Sequence, residues 1–241
     1  MTQSLAHSAV DTLITYYDDA TDERTALTAG QLGAWTAATA ALLTDGCGLG
    51  PGRQAGVLLP PHWQTASVLL GAWAAGVEVS FRGWSTAGLT PAGDPLDVTF
   101  VEHRRVDSWL DDVPSARHRF VLGLEPAGSP LARVPEGHQD YARAVRAYLG
   151  TAPPDASIDL SSPATVDGST YAEYGAIAAE VARTQGIGRG DRVLIDATAT
   201  EEPLLWLLAP LFAGASLVLC ANLDRSRLDE RIAAERVTRV L

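Results

Sequence analysis

The chain contains no lysine. All 18 of its basic residues are arginine, set against 29 Asp and Glu in 241 residues, for a formal net charge of −11. Chemistry that needs an ammonium point charge or a Schiff-base amine from this chain is thereby excluded, because a guanidinium replaces neither. The acidic balance argues against nucleic acid or an anionic membrane as partner, since both select a concentrated positive field. Cysteine is scarce too. Cys47 and Cys220 stand alone, without a CxxC, and are expected as buried free thiols of a reducing cytoplasm. The opening "MTQSLAHSAVDTLITYYDD" lacks the basic segment and apolar core of a signal peptide, so a cytoplasmic location is expected. His7, His62, His103, His118 and His138 show no HExxH spacing, and no metal site is expected from them. No GxSxG is present, and "GWSTAG" around Ser85 has the wrong spacing for a nucleophile elbow.

Charge is absent from one long run, Pro203–Leu223, "PLLWLLAPLFAGASLVLCANL". Its length would cross a bilayer. Pro210 and Gly214 interrupt it, however, with Leu/Trp/Ala before Gly214 and "ASLVLC" after it. A buried helix, turn and strand is the preferred reading.

What is present is a sequence written twice. "GLGPGRQAGVLLPPHWQTASVLLGAWAAGVEVSF" (Gly48–Phe81) aligns with "GIGRGDRVLIDATATEEPLLWLLAPLFAGASLVL" (Gly186–Leu219) at a constant spacing of 138. Gly48, Gly50 and Gly52 meet Gly186, Gly188 and Gly190, and Ala75–Gly76 meet Ala213–Gly214. Upstream, "LTAGQLGAWTAATA" resembles "STYAEYGAIAAEVA" at a spacing of 142, with Thr28 on Thr170; the first copy carries four extra residues before its glycines. In each copy a Thr or Ser caps an apolar-periodic helix (29–44 and 170–184), and glycines end it. A strand (54–59 and 192–197), a second helix (62–75 and 201–213) and an apolar strand after Ala-Gly (77–81 and 215–220) follow. Nearly continuous apolar strands alternating with helices imply a parallel sheet covered on both faces. A phosphate-cradling loop follows a strand and opens a helix. Here the glycines follow a helix and open a strand, so they read as punctuation.

Between the copies, 97–101 and 119–124 read as strands around a helix at about 103–112, 135–150 as an amphipathic helix, and 151–157 as a linker. The end, "DRSRLDERIAAERVTRVL", reads as a charged helix and then a strand. The domain division expected is 1–150 and 151–241, two related α/β halves. "EHRR" (102–105) is a basic island that starts a helix or meets an acidic partner. His62 and Trp63 sit at a strand-to-helix junction, the side on which α/β sheets bind ligands, although Trp35, Trp63, Trp73 and Trp84 read mostly as core or subunit contact.

The repeated pattern, helix, "GxGxGDRV", strand, helix, "AGA", strand, resembles the N-terminal domain of the adenylate-forming enzymes: acyl-CoA synthetases, peptide-synthetase adenylation domains and luciferases. The likeness covers roughly two-thirds of the chain and is greatest to a small actinobacterial AMP-binding-enzyme-like family of short proteins. It implies an α/β fold of two pseudo-repeated halves, each a mostly parallel sheet flanked by helices. That superfamily makes acyl-adenylates from a carboxylate and ATP, with a phosphate loop of the form TSGTTGxPKG. "IDLSSPATVDGSTYAEY" (Ile158–Tyr174) holds that place here. Ser161, Ser162, Thr165, Gly168, Ser169 and Thr170 are the candidate nucleotide-binding positions that the resemblance carries over. Most of the glycines and the lysine are missing, and Pro163 removes a donor. Glu201 and Glu202 add charge where an acyl pocket would lie, or begin the second helix. The resemblance implies that the superfamily's metal carboxylate, ribose-binding Asp and mobile lysine-bearing domain would lie beyond "RVTRVL". No catalytic or metal residues are assigned and no cofactor is required; weak AMP or ATP binding stays open. The expected function is a non-catalytic relative, a pseudoenzyme that binds a small acyl or adenine-nucleotide ligand or a protein partner. The alternatives are a weak or split ligase completed by another chain, and a structural module that forms a homo-oligomer through its last strand.

Overall fold

A computed structural model describes residues 12–84, 95–106, 108, 113–152 and 158–241. The stretch around Ser85, most of 107–112 and residues 153–157 of the linker lie outside the described residues. The chain groups into two compact units. Among the described residues, one comprises those within 12–32, 61–63 and 175–241; the other comprises those within 33–60 and 64–174.

The first unit holds a five-stranded sheet. Its strands are β1 (Thr12–Asp18), β2 (Glu23–Thr28), β8 (Arg192–Asp196), β9 (Ser216–Ala221) and β10 (Arg239–Val240), in the order β10-β8-β9-β1-β2. All neighbours are parallel except β1 and β2, which form a hairpin. The second unit holds β3 (Gln54–Leu58), β4 (Glu78–Phe81), β5 (Leu96–Glu102), β6 (Ala116–Leu122) and β7 (Gln139–Asp140), in the order β4-β3-β5-β6-β7 and parallel throughout. The cores of β3, β8 and β9 are buried on both faces, which is why these strands read as continuous apolar runs. Helices α1 (Ala29–Ala41), α2 (Trp63–Ala74), α3 (His103–Val106), α4 (Tyr141–Arg146), α5 (Tyr171–Thr184), α6 (Ala209–Ala213) and α7 (Leu228–Glu235) complete the fold.

The two copies match down to single hydrogen bonds. Thr28 and Gln31 cap α1 reciprocally, Gln31 N–H to Thr28 Oγ1 at 3.2 Å and Thr28 N–H to Gln31 Oε1 at 2.9 Å. Thr170 and Glu173 repeat the arrangement on α5 at the same two distances. Arg53 N–H reaches Gly50 O at 3.1 Å, as Asp191 N–H reaches Gly188 O at 3.1 Å. Gly48, Gly52 and Gly76 take φ of +67°, +76° and +74°; their counterparts Gly186, Gly190 and Gly214 take +66°, +83° and +74°. The glycines are therefore helix ends and turns in both copies, as their order predicts. The four extra residues of the first copy are absorbed by a π-helical turn, Leu42–Gly46, that prolongs α1. The uncharged run 203–223 is the expected helix, turn and strand: a π-helical turn at Leu204–Leu208, α6, Gly214 in the left-handed conformation, then β9. Among the described residues no helix is long and apolar enough to cross a membrane.

The structure adds to the sequence reading and in one place corrects it. The opening residues form the β1–β2 hairpin, which the helix-oriented pattern overlooks. The hairpin pairs with β9, so the boundary expected at residue 150 cuts the chain differently from the sheets. Where helix 135–150 was expected, Gly137 turns at φ +73°, 139–140 add a sheet edge, and α4 covers only 141–146. Asp140 is the reason. Its carboxylate takes Arg143 N–H at 2.6 Å as an N-cap and Leu131 N–H at 2.7 Å, so it stands outside the helix. Of the helix expected at 103–112, α3 spans His103–Val106, and most of the remainder lies outside the described residues.

Each copy's leading segment joins the sheet to which its own strands do not belong. β1–β2 precede α1 yet add to β9, with Ile14 opposite Leu217. The segment Pro163–Thr170 precedes α5 yet adds to β4, with Val79 opposite Thr165. Val79 and Leu217 are equivalent at the 138 spacing. Pro163 pairs antiparallel with Thr170, a miniature of the Thr12–Thr28 pairing of the hairpin.

Candidate functional site

The six positions that the resemblance singles out lie in one loop ahead of α5. Val79 N–H donates to Ala164 O at 3.0 Å, and Val166 N–H to Val79 O at 3.2 Å. Trp73 Nε1 donates to Ala164 O at 3.0 Å, and Tyr171 Oη to Trp73 O at 3.0 Å. The loop is thus fastened from β4 and from the end of α2. Gly168 turns at φ +92° and donates to Thr165 O at 3.0 Å.

The donors of this loop face carboxylates. Ser161 gives both its N–H (2.9 Å) and its hydroxyl (2.8 Å) to Asp159. Thr165 and Ser169 hydroxyls converge on Asp167 Oδ1 at 2.5 and 3.1 Å, and Ser169 N–H joins them at 3.2 Å. Thr170 gives its N–H and hydroxyl to Glu173 at 2.9 and 2.8 Å. Ser162 N–H closes a turn on Asp159 O at 2.9 Å, and its carbonyl accepts Tyr171 N–H at 3.0 Å. These bonds hold the acids ionised. The Ser161 N–H and hydroxyl pull Asp159 below the usual carboxylate range; the Thr165 hydroxyl and Ser169 N–H do so for Asp167, and the Thr170 N–H and hydroxyl for Glu173. Three negative charges stand among the groups that would have to receive a phosphate.

The other sequence candidates resolve as packing. Glu202 O accepts Leu205 and Trp206 N–H at 2.9 and 3.2 Å, so 201–202 begin the helical turn. His62 is fully buried, edge-on to Tyr16 at 4.3 Å, and burial pushes its pKa down to about 3. Trp63 and Trp73 are core. In the basic island, Arg105 is fully buried over Trp84 at 4.9 Å and donates to Arg82 O at 2.7 Å, while Arg104 pairs with Glu102. Arg105 is therefore closed to an acidic partner. Cys47 and Cys220 are buried free thiols, as expected. Among the described residues no cluster of three His, Cys, Asp or Glu could hold a metal ion.

What pattern reading missed lies at the opposite, N-terminal ends of β1, β8 and β9, in the first unit. A cavity of about 410 Å³ opens there, lined among others by Gly190, Arg192, Gly214, Ser216, Arg236 and Thr238. The available signal was the difference between the two copies at equivalent positions.

A protein of Mycobacterium tuberculosis (strain ATCC 25618 / H37Rv), named a TIGR03089 family protein, is 39% identical over 234 residues, covering 95% of this chain and 90% of its own length. The chain belongs to the TIGR03089 family. No family model matches the chain. Three solved structures superpose with a TM-score of 0.67. The N-terminal domain of FACL13 from Mycobacterium tuberculosis does so at 16% identity, over 97% of this chain and 60% of its own. Acetoacetyl-CoA synthetase from Streptomyces lividans does so at 17% identity, over 99% and 41%. The anthranilate CoA ligase AuaEII does so at 16% identity, over 99% and 48%. At such identities the likeness establishes the fold alone, that of acyl-CoA synthetase N-terminal domains. The TIGR03089 chain spans about half the length of the complete synthetases it superposes on.

Proposed function

We propose that this TIGR03089 chain uses the adenylate-forming scaffold for binding and does not itself carry out adenylation. The observation that carries this reading is the loop 159–173, where Asp159, Asp167 and Glu173 take the hydroxyl and N–H donors that a triphosphate would need. Adenylation requires positive charge on a phosphorus centre as pyrophosphate departs. A helix N-terminus favours an anion, but here Glu173 already occupies that place on α5. With no lysine in the chain, nothing in this loop offsets three carboxylates.

The test is ATP–pyrophosphate exchange by the purified chain with a panel of carboxylic acids. Exchange at the no-protein background is expected; acid-dependent exchange above it overturns the reading. A thermal-shift series with AMP, ATP, CoA and acyl-adenylate mimics separates an acyl or nucleotide ligand from a protein partner. Light scattering decides whether the bound state is a homo-oligomer.

A further inference from the structure

We propose that the cavity at the N-terminal ends of β1, β8 and β9 binds a small oxyanion, a carboxylate or phosphate group. The site is separate from the loop discussed above, and the inference does not rest on the function proposed there.

Arg192 forms its floor. The side chain is nine-tenths buried, and Nη1 reaches Thr12 O at 3.4 Å and Ser216 Oγ at 3.3 Å, both on the cavity wall. Those two bonds are long, so a charged acceptor would compete with them well. Nη2 bonds Thr15 Oγ1 at 2.7 Å and pairs with Glu235 on the far side. Nε has no hydrogen-bond partner, an unmet demand for a buried guanidinium. Arg236, exposed, lines the rim, and Arg189 packs over Gly214, which also lines it. Asp191 is the acid in the lining. Its carboxylate is held by Gly188 N–H at 2.7 Å and Thr238 Oγ1 at 2.7 Å, with Arg239 at 3.8 Å. The lining thus holds two arginines, Arg192 and Arg236, and one acid, Asp191, which Arg239 offsets from outside the lining; in a strongly acidic chain this is a local excess of positive charge that attracts anions.

The internal repeat supplies a control. At the 138 spacing, Arg189, Arg192 and Ser216 correspond to Pro51, Gln54 and Glu78, and the backbone is the same: Ser216 N–H bonds Asp191 O at 2.9 Å as Glu78 N–H bonds Arg53 O at 2.8 Å. Pro51 packs on Gly76 as Arg189 packs on Gly214. Where Thr238 accepts from Arg192 N–H, Asp97 accepts from Gln54 N–H. One geometry therefore carries Arg53, Gln54, Glu78 and Asp97 in one copy, and Asp191, Arg192, Ser216 and Thr238 in the other, so the two acids of the strand ends are replaced by hydroxyls while the arginine moves by one position. Backbone geometry does not require arginine at this position: Nη2 of Arg192 serves Glu235, while Nη1, held only by its two long bonds on the cavity wall, is the group left for an anionic ligand.

The experiment is isothermal titration of the whole chain at low ionic strength, with inorganic phosphate and with acetate as separate probes. One equivalent of either is expected to bind saturably, and the better probe tells which oxyanion the site prefers. Arg189→Gln/Arg236→Gln, changed at exposed positions, should weaken that binding about tenfold or more. Arg53→Gln, at the matching end of the other sheet, should leave it unchanged. No saturable binding of either probe up to roughly 10 mM overturns the proposal. So does equal affinity in the double variant, or an equal loss in Arg53→Gln.

Discussion

At the scale of single residues, the first unit is held by charges turned inward. α7 directs Leu228, Arg231, Ile232 and Glu235 at its sheet, the i, i+3, i+4, i+7 stripe that a surface helix reserves for its buried face. Leu228 and Ile232 pack on Leu194, Val218 and Cys220. Arg231 takes both oxygens of Asp19, at 2.5 and 3.0 Å, and lies over Tyr17 at 4.2 Å. Glu235 accepts Tyr17 Oη at 2.6 Å and pairs with Arg24 and with Arg192. Pattern reading sees only a charged helix here, because it scores charge as outward; the partners on β1, β2 and β8 are remote in sequence. Glu235→Gln leaves Arg192 buried without its anion, and we expect a loss of about 3–5 kcal/mol in urea unfolding. Burial alone would raise the Glu235 pKa, but the hydrogen bonds from Tyr17, Arg192 and Arg24 outweigh it and bring it down to about 2. A depressed folded-state pKa contributes stability above the unfolded-state value, and that contribution is lost as pH falls through the folded one. Wild-type stability should therefore decline between about pH 5 and pH 2, and Glu235→Gln should decline less steeply over the same window. Equal slopes in the two proteins would remove Glu235 as the source.

At the scale of elements, local chemistry is where the sequence is most legible. T-x-x-Q before α1 and T-x-x-E before α5 announce capping boxes, and both form with matching distances. Thr28→Ala and Thr170→Ala should each cost about 1 kcal/mol, measured by thermal or urea unfolding. The position ending each second helix is also readable, since Ala-Gly precedes a strand in both copies. Gly214 sits at φ +74°, so Gly214→Ala should cost about 1–2 kcal/mol although its Cβ would find no contact nearer than 3.5 Å. The candidate loop was legible as to place and not as to state. Ser161, Thr165, Ser169 and Thr170 do lie together, but serine and threonine spacing says nothing of the direction in which a hydroxyl donates. That Asp159, Asp167 and Glu173 receive those protons depends on two short turns and a cap, set by residues two or three apart. α4 failed as a sixteen-residue helix for a similar reason: Asp140 has tasks outside it that periodicity does not register.

At the scale of the whole molecule, duplication was legible and its wiring was not. Equal spacing of glycines shows two copies, but no spacing shows that each copy's leading segment crosses to the other copy's sheet. That pairing joins β1 to β9 across some 200 residues, and only tertiary structure can report it. It has a consequence for cutting the chain at residue 150. The piece 1–150 would retain β3–β7 yet lose Ala164–Val166 from the edge of β4, and its β1–β2 hairpin would lose β9. The piece 151–241 would keep β8, β9 and β10 with the edge of β9 bare, an unpaired row of N–H and C=O groups that favours aggregation. A three-stranded remnant without its hairpin also buries too little apolar surface to offset chain entropy. We therefore expect 151–241 alone to lack cooperative unfolding in circular dichroism, and 1–150 alone to melt earlier than the intact chain. Co-expressed, the two pieces should copurify and recover one cooperative transition, because each supplies the strand the other is missing. Independent cooperative folding of 151–241 would show that the exchanged hairpin is dispensable and would restore the division at residue 150.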